Sequence, residues 1–314
     1  MNNVSSTITS FLLLGLIELE RFRFVYGTLS LVIYLFIILF SLMIALVVLT
    51  DKSLHEPMYI LICNLVLNGM FGSTSFFPKL LFDLFSSSNT VSRTGCFIQA
   101  LCVLTFGTFE ISTITIMAYD RYLAVCHPLH YITLMTNTKV LMLIFGSLVF
   151  SFSSNLSFII LSAVLPLCGV VIKNILCGNM AIVNLSCVDT SLNVMYGAII
   201  IGIFFAFTLS TIAYFYLRIF IICFTLSKES RQKAFHTLVT HLLGFSIFLV
   251  GAMFVFVRFR LNSTNSPMVV HILLSVTPLV VSPFFNPIIY GIRTTTLRMR
   301  MIHHLQKLNV WTSL

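Results

Sequence analysis

Charged residues are scarce in this chain. Of its 314 residues, 18 are Lys or Arg and 9 are Asp or Glu, and this charged share of 9% compares with roughly 25% in an ordinary soluble domain. The shortage excludes a soluble globular protein, and the mean hydropathy of +1.04 assigns the chain to a bilayer. Catalytic patterns are also lacking, because the apolar runs contain no HExxH, GxSxG or carboxylate cluster. We therefore predict no enzyme, no metal and no cofactor.

Apolar runs are what the chain has instead. A spanning helix needs roughly 20 mainly apolar residues, and seven candidates lie at about 24–49, 57–82, 96–122, 140–165, 194–224, 236–258 and 268–291. The fold class predicted is an all-α membrane protein, a seven-transmembrane helix bundle. A short amphipathic C-terminal helix is predicted after it, because Leu297, Met301, Leu305 and Leu308 share one stripe within residues 294–309.

The formal charge of +9 would suggest a nucleic-acid partner in a soluble protein. In this chain the cations flank the spans, so their placement indicates how the chain is oriented in the membrane. With the amino terminus outside, 11 of the 18 basic residues lie inside and 7 outside, in agreement with the positive-inside rule. We expect no removable signal peptide, because the first twenty residues lack a basic segment followed by a long apolar core and a small-residue cleavage site. Glycosylation patterns begin at Asn3, Asn184 and Asn262, and this topology places all three outside.

Four of the eight cysteines, Cys96, Cys168, Cys177 and Cys187, lie outside in the same topology. An oxidising exterior makes them candidates for disulfide bonds. Cys96 precedes Arg121 by 25 residues, which is roughly 38 Å of helix and enough to cross a hydrocarbon core of roughly 30 Å. Four cysteines allow three pairings, and the spacing alone does not choose among them.

Four motifs carry a family resemblance. They are LHEPMY at 54–59, MAYDRYLAVCHPL at 117–129, KAFHTLVTH at 233–241 and NPIIY at 286–290. Their order and positions closely resemble the signatures of odorant receptors, a branch of the rhodopsin-like G-protein-coupled receptors, from about residue 12 to residue 298. LHEPMY and the Asn68-Gly69 pair resemble in particular the receptors of fish. Leu238 and Thr240 depart from the family pattern, which has cysteine and serine there.

The resemblance implies a switch at the cytosolic end. Asp120 would hold the Arg121 guanidinium while the bundle is closed, and outward movement of the sixth helix would release it. The other implied switch positions are Tyr122, Tyr214, His241, Asn286, Pro287 and Tyr290. For Tyr214 and Tyr290, a role as interfacial anchors is an equally good alternative. Pro287 removes a helix bond and is expected to give a kink on which its neighbours pivot.

The resemblance also implies the disulfide pairing, which is Cys96–Cys177 and Cys168–Cys187. These bonds would fold loop 166–193 down as a lid.

Glu110 lies eleven residues before Arg121, roughly 16 Å along the helix, and is predicted near the bilayer midplane. The family commonly faces this acid with an aspartate, whereas Gly69 stands here beside Asn68. Glu110 would be either protonated and bonded to Asn68, Ser73 or Asn286, or a lone sodium ligand, and we favour protonation.

Odorant receptors bind small molecules between the outer halves of helices three, five and six. Mapped by resemblance, the lining residues are Val103, Leu104, Gly107, Thr108, Met253, Phe256 and Val257. For each apolar member, simple helix packing is the alternative. Arg260 is favoured as an anion contact, although a basic residue at a helix end more often anchors at lipid head groups.

The sequence is thus interpreted as an odorant receptor that activates an olfactory Gs-type heterotrimeric G protein and raises cyclic AMP. Residues 1–23 form the extracellular terminus, 24–292 the receptor domain and 293–314 the cytoplasmic tail. The expected location is the plasma membrane of olfactory sensory neurons. Alternatives are a receptor for another small ligand or a seven-helix transporter or channel, but the chain lacks the repeats and acid relays typical of transporters.

Overall fold

The structure is a computed structural model that describes residues 8–224, 239, 242–251 and 268–312. In these ranges, seven helices have 18 residues or more: α2 (Arg23–Thr50), α3 (Pro57–Thr74), α5 (Arg93–Cys126), α7 (Asn137–Ala163), α9 (Ser191–Cys223), α11 (Met268–Arg293) and α12 (Thr295–Thr312). The shorter described helices are α1 (Leu14–Leu19), α4 (Phe77–Ser86), α6 (Tyr131–Leu134), α8 (Asn179–Val183) and α10 (Leu242–Gly251). Within these ranges, six helical stretches are long and apolar enough to cross a membrane, and α10 is a shorter apolar helix.

The helical membrane bundle predicted from the sequence is confirmed. The second predicted span, 57–82, is divided between α3 and α4 by a break at Ser75 and Phe76. Pro78 stands in the first turn of α4 and has no N–H for the helix ladder, which accounts for a break at this point. The predicted sixth span, 236–258, is described only at residue 239 and in α10.

Helix α5 lies at the centre of the described bundle, where it packs against α3, α7 and α9. It begins earlier than the sequence suggested because the Ser92 hydroxyl accepts a bond of 3.1 Å from the Gly95 N–H and caps the first turn. Helix α3 is in turn packed against α2 and α11. At Gly72 the crossing of α3 and α5 is so close that a Cβ atom would overlap the Phe106 ring.

A three-stranded sheet covers the end of the bundle that carries the disulfides. Its order is β2-β1-β3, with β1 (Ser10–Leu13) antiparallel to β2 (Thr90–Ser92) and parallel to β3 (Val171–Ile172). No strands were predicted here from the sequence. The pairing satisfies backbone groups of segments that carry buried side chains such as Phe11 and Leu13, which water does not reach.

Helix α12 confirms that the tail is helical. Leu297 and Met301 are buried against the bundle, whereas Leu305 is exposed, so the first half of the predicted stripe packs on α2 and α11. Arg300 Nε lies 3.3 Å from Asp51 Oδ2 and ties α12 to the segment between α2 and α3. The side chain of Leu308 lies outside the described residues.

Candidate functional site: a latch, a buried carboxyl and a lid

The latch consists of Asp120, Arg121 and Tyr131. Asp120 is buried near the C-terminal end of α5, and the neighbouring Arg121 donates to its Oδ2 from Nε at 2.9 Å and also from Nη2. Tyr131, the first residue of α6, donates its hydroxyl to Asp120 Oδ1 at 2.7 Å. Burial, followed by the charge of Asp120, raises the pKa of Tyr131, so the phenol stays a neutral donor.

The three predicted switch tyrosines have different surroundings. The Tyr122 ring stacks on Phe215 with centroids 5.2 Å apart, and its hydroxyl lies 3.2 Å from His127 Nε2. Tyr214 faces outward with 53% of its surface exposed. Tyr290 on α11 is buried, and its hydroxyl lies so close to α10 that a Cβ on Gly244 would be 2.8 Å from it. The remaining predicted switch residue on this side, His241, lies outside the described residues.

Glu110 is fully buried at the meeting of three helices. Its Oε2 accepts a bond of 2.7 Å from Asn68 on α3, and its Oε1 accepts bonds of 2.8 Å from both Ser282 and Asn286 on α11. Ser73, considered from the sequence, instead donates to the Leu279 carbonyl at 3.3 Å. Three donors therefore solvate both oxygens of a group that would be costly to bury alone.

Ser282 was missed by the sequence analysis. The available signal was its position four residues before Asn286, on the same face of α11, and Asn286 Nδ2 also contacts Ser282 Oγ at 3.1 Å. Pro287 lies within α11, which the structure assigns as one continuous helix through Pro278, Pro283 and Pro287. The expected pivot at Pro287 stays a prediction.

The absence of the family's usual aspartate at residue 69 has a steric reason. A Cβ on Gly69 would lie 3.2 Å from Pro283 Cα, closer than side chains normally approach a backbone atom. Helices α3 and α11 therefore pack backbone to backbone at this level, as small residues permit in membranes. Asn68, one position away, supplies the polar contact to Glu110 instead.

Of the predicted ligand-lining residues, the structure describes only those on α5. Val103, Leu104, Gly107 and Thr108 are all partly exposed. Apart from its chain neighbours and its own helix backbone, no atom of the described residues lies within 4 Å of a Cβ placed on Gly107. The Thr108 hydroxyl accepts a bond of 2.8 Å from Asn155 Nδ2 on α7 and donates to the Leu104 carbonyl at 3.0 Å.

Asn155 was not predicted as part of this region, because contacts between α5 and α7 have no signal in a single sequence. The predicted residues of helix six, Met253, Phe256, Val257 and Arg260, lie outside the described residues.

The lid is the loop between α7 and α9. The structure contains the two disulfides implied by the resemblance, Cys96–Cys177 and Cys168–Cys187. Gln99 on α5 accepts a bond of 2.9 Å from the Cys177 N–H. Asn184 is exposed at the end of α8, whereas Asn3 and Asn262 lie outside the described residues.

Asn174 anchors the lid from within. It is fully buried, and its Nδ2 donates to Ser275 Oγ on α11 at 3.1 Å. Its backbone carbonyl accepts a bond of 3.2 Å from the Gly15 N–H at the start of α1. The lid, the amino-terminal segment and α11 are thereby connected through one residue.

These features define a class: a multi-pass helical membrane protein with a charged latch at one end of its central helix and a disulfide-bonded lid at the other. The comparisons identify the family. The family described as olfactory receptor matches residues 30–307.

Named relatives span nearly the whole chain. Human olfactory receptor 6K3 is 35% identical over 92% of this chain and 86% of its own length. Human olfactory receptor 14A2 is 32% identical over 98% and 97%, respectively, and mouse olfactory receptor 6E1 is 32% identical over 96% and 97%. This chain belongs to the olfactory receptor family. It is thus a seven-transmembrane G-protein-coupled receptor for small-molecule odorants, and not an enzyme.

Proposed function

We propose that this receptor binds its odorant beneath the lid and activates the olfactory Gs-type G protein, raising cyclic AMP. In this proposal residues 1–23 are extracellular, 24–292 form the receptor domain and 293–314 form the cytoplasmic tail. The proposed location is the plasma membrane of an olfactory sensory neuron. The disulfides favour this orientation, because such bonds persist on the oxidising side of a membrane.

The observation that carries the proposal is the closed latch. Asp120 holds Arg121 directly and Tyr131 completes the contact, so the inner end of α5 is tied to the following loop. Charged pairs of this kind have two discrete arrangements, bonded and released, which suits a switch. In the released state Arg121 and the tyrosines Tyr122, Tyr214 and Tyr290 would line the cavity that receives the G protein, together with His241.

The ligand would bind about three to four helical turns from Arg121, at Gly107 and Thr108. The partly exposed residues at Gly107 and the polar Thr108–Asn155 pair support an apolar ligand fixed by a small number of hydrogen bonds. Val103, Leu104, Met253, Phe256 and Val257 would supply the apolar wall, and Arg260 would contact an anionic group of the ligand. Glu110 and Asn68 lie between this region and the latch and would transmit the change to α11 through Asn286.

The test is a cyclic-AMP reporter in cells that express the chain with the olfactory G protein, screened with amino acids, short carboxylates, amines and steroids. Arg121→Ala should abolish the response while cell-surface expression is retained. A full response without Arg121 would contradict the proposed switch. Arg260→Ala should weaken carboxylate agonists selectively, and an equal loss for neutral agonists would remove the anion contact from the proposal.

A further inference from the structure

A groove of about 280 Å³ lies on the outside of the bundle, between α5 and α7 at the lid end. Its walls are apolar, with Phe97 and Ile98 on α5 and Ile160 and Ala163 on α7. Ile98 and Ile160 are 57% and 55% exposed. Exposed aliphatic side chains on a spanning helix face hydrocarbon, so the groove opens toward the lipid and not toward the odorant.

The rim of the groove is polar. Arg93, the first residue of α5, and Thr94 lie at this end. Arg93 Nη2 donates to the Ala163 carbonyl at 3.1 Å, and its guanidinium lies 5.9 Å from the Phe97 ring centroid. These contacts hold the cation over the mouth of the groove.

The Arg93 guanidinium has no acidic partner among the described residues, in contrast to the basic residues of the ion pairs Lys79–Asp83 and Arg300–Asp51. A guanidinium carries five N–H donors, and a single one of them bonds the described part of the protein. The others are available to a ligand with several acceptor oxygens.

We propose that this groove binds a phospholipid of the leaflet on the lid side, with its phosphate on Arg93 and Thr94 and one acyl chain between α5 and α7. A phosphate provides the charge and the paired oxygens that a guanidinium binds best. A sterol hydroxyl offers neither. The volume corresponds to roughly nine water molecules, enough for a section of one hydrocarbon chain. This inference does not depend on the odorant or on the G protein.

The test uses the full-length receptor in nanodiscs that contain a phosphatidylcholine with a photoreactive diazirine on its acyl chain. After irradiation, the label should concentrate on peptides that contain residues 93–101 and 159–163. Arg93→Gln should reduce that labelling by about tenfold, the effect of losing one charge-assisted contact. Lys173→Gln is the matched control, since Lys173 is an exposed cation on the lid, and it should leave the labelling unchanged.

Because Arg93 also ties α5 to α7, a second variant leaves it in place. Ala163→Phe fills the groove while the backbone carbonyl that Arg93 binds remains, and it should reduce the labelling to a similar extent. Equal labelling of the wild-type chain and Arg93→Gln would overturn the phosphate contact. Labelling of these peptides by a photoreactive sterol in preference to the phospholipid would overturn the choice of lipid.

Discussion

Tyr131→Phe is expected to raise the ligand-independent activity of the receptor. The substitution removes one hydroxyl and leaves the aromatic ring. The lost bond is 2.7 Å long and ends on a buried carboxylate oxygen. Hydrogen bonds to charged groups contribute about 1.5–3 kcal/mol.

The bond stabilises only the state in which α6 lies against the latch, so its loss acts on that state alone. About 2 kcal/mol corresponds to a shift of roughly 30-fold in the equilibrium between the latched and the released states. The Asp120–Arg121 hydrogen bonds remain in this variant, so the shift in the latched–released equilibrium should be smaller than that caused by Asp120→Asn.

The assay is basal activation of a panel of heterotrimeric G-protein sensors, normalised to the receptor at the cell surface. Tyr196→Phe is the matched control, because its hydroxyl makes no hydrogen bond with the described residues and its ring lies at the other end of the bundle. Basal activity of Tyr131→Phe that equals the wild-type value, in an experiment where Asp120→Asn is clearly elevated, would refute the role assigned to this bond.

Three further predictions concern stability. Glu110→Leu should strongly lower the thermal unfolding temperature in detergent, since it leaves three buried donors without their acceptor at about 1–3 kcal/mol each, and Glu110→Gln should lower it less. Gly72→Ala should destabilise by about 1–3 kcal/mol through overpacking against Phe106. Gly146→Ala, where an added Cβ meets no neighbouring side chain among the described residues, should be neutral or stabilising in the same measurement. Asn174→Ala should accelerate hydrogen exchange of the lid, because it removes the side-chain bond to α11.

Each stability prediction has a contrary outcome. Equal unfolding temperatures for Glu110→Leu and Glu110→Gln would mean that the donors find other partners. If Gly72→Ala and Gly146→Ala behave alike, the crossing of α3 and α5 is looser than described. Unchanged exchange in Asn174→Ala would show that the disulfides alone hold the lid.

The spans and the Asp120–Arg121 pair were predictable because each depends on residues that are close in sequence. Hydrophobicity over 20 residues identifies a span, and two adjacent charges identify a boundary. The break between α3 and α4 also had a local signal, Pro78, although the sequence analysis treated the region as one span.

The partners of these residues were not predictable in the same way. Tyr131, Ser282 and Asn155 contact their partners through the packing of separate helices, and that packing is set by the fit of whole helix faces. Ser282 was absent from the predicted partners of Glu110 for this reason, whereas Asn68 was included because the family places a polar residue close to it. The sheet was missed because its strands are two to four residues long and lie far apart in the chain.

The strand order has a consequence for synthesis of the protein. Residues 10–13 form the middle strand, yet their neighbours are residues 90–92 and 171–172. A ribosome completes the middle strand first and must add about eighty residues before its first neighbour exists, and about eighty more before the second. Until then the buried Phe11 and Leu13 are uncovered, so the early chain presents an apolar segment that a chaperone on that side of the membrane can bind.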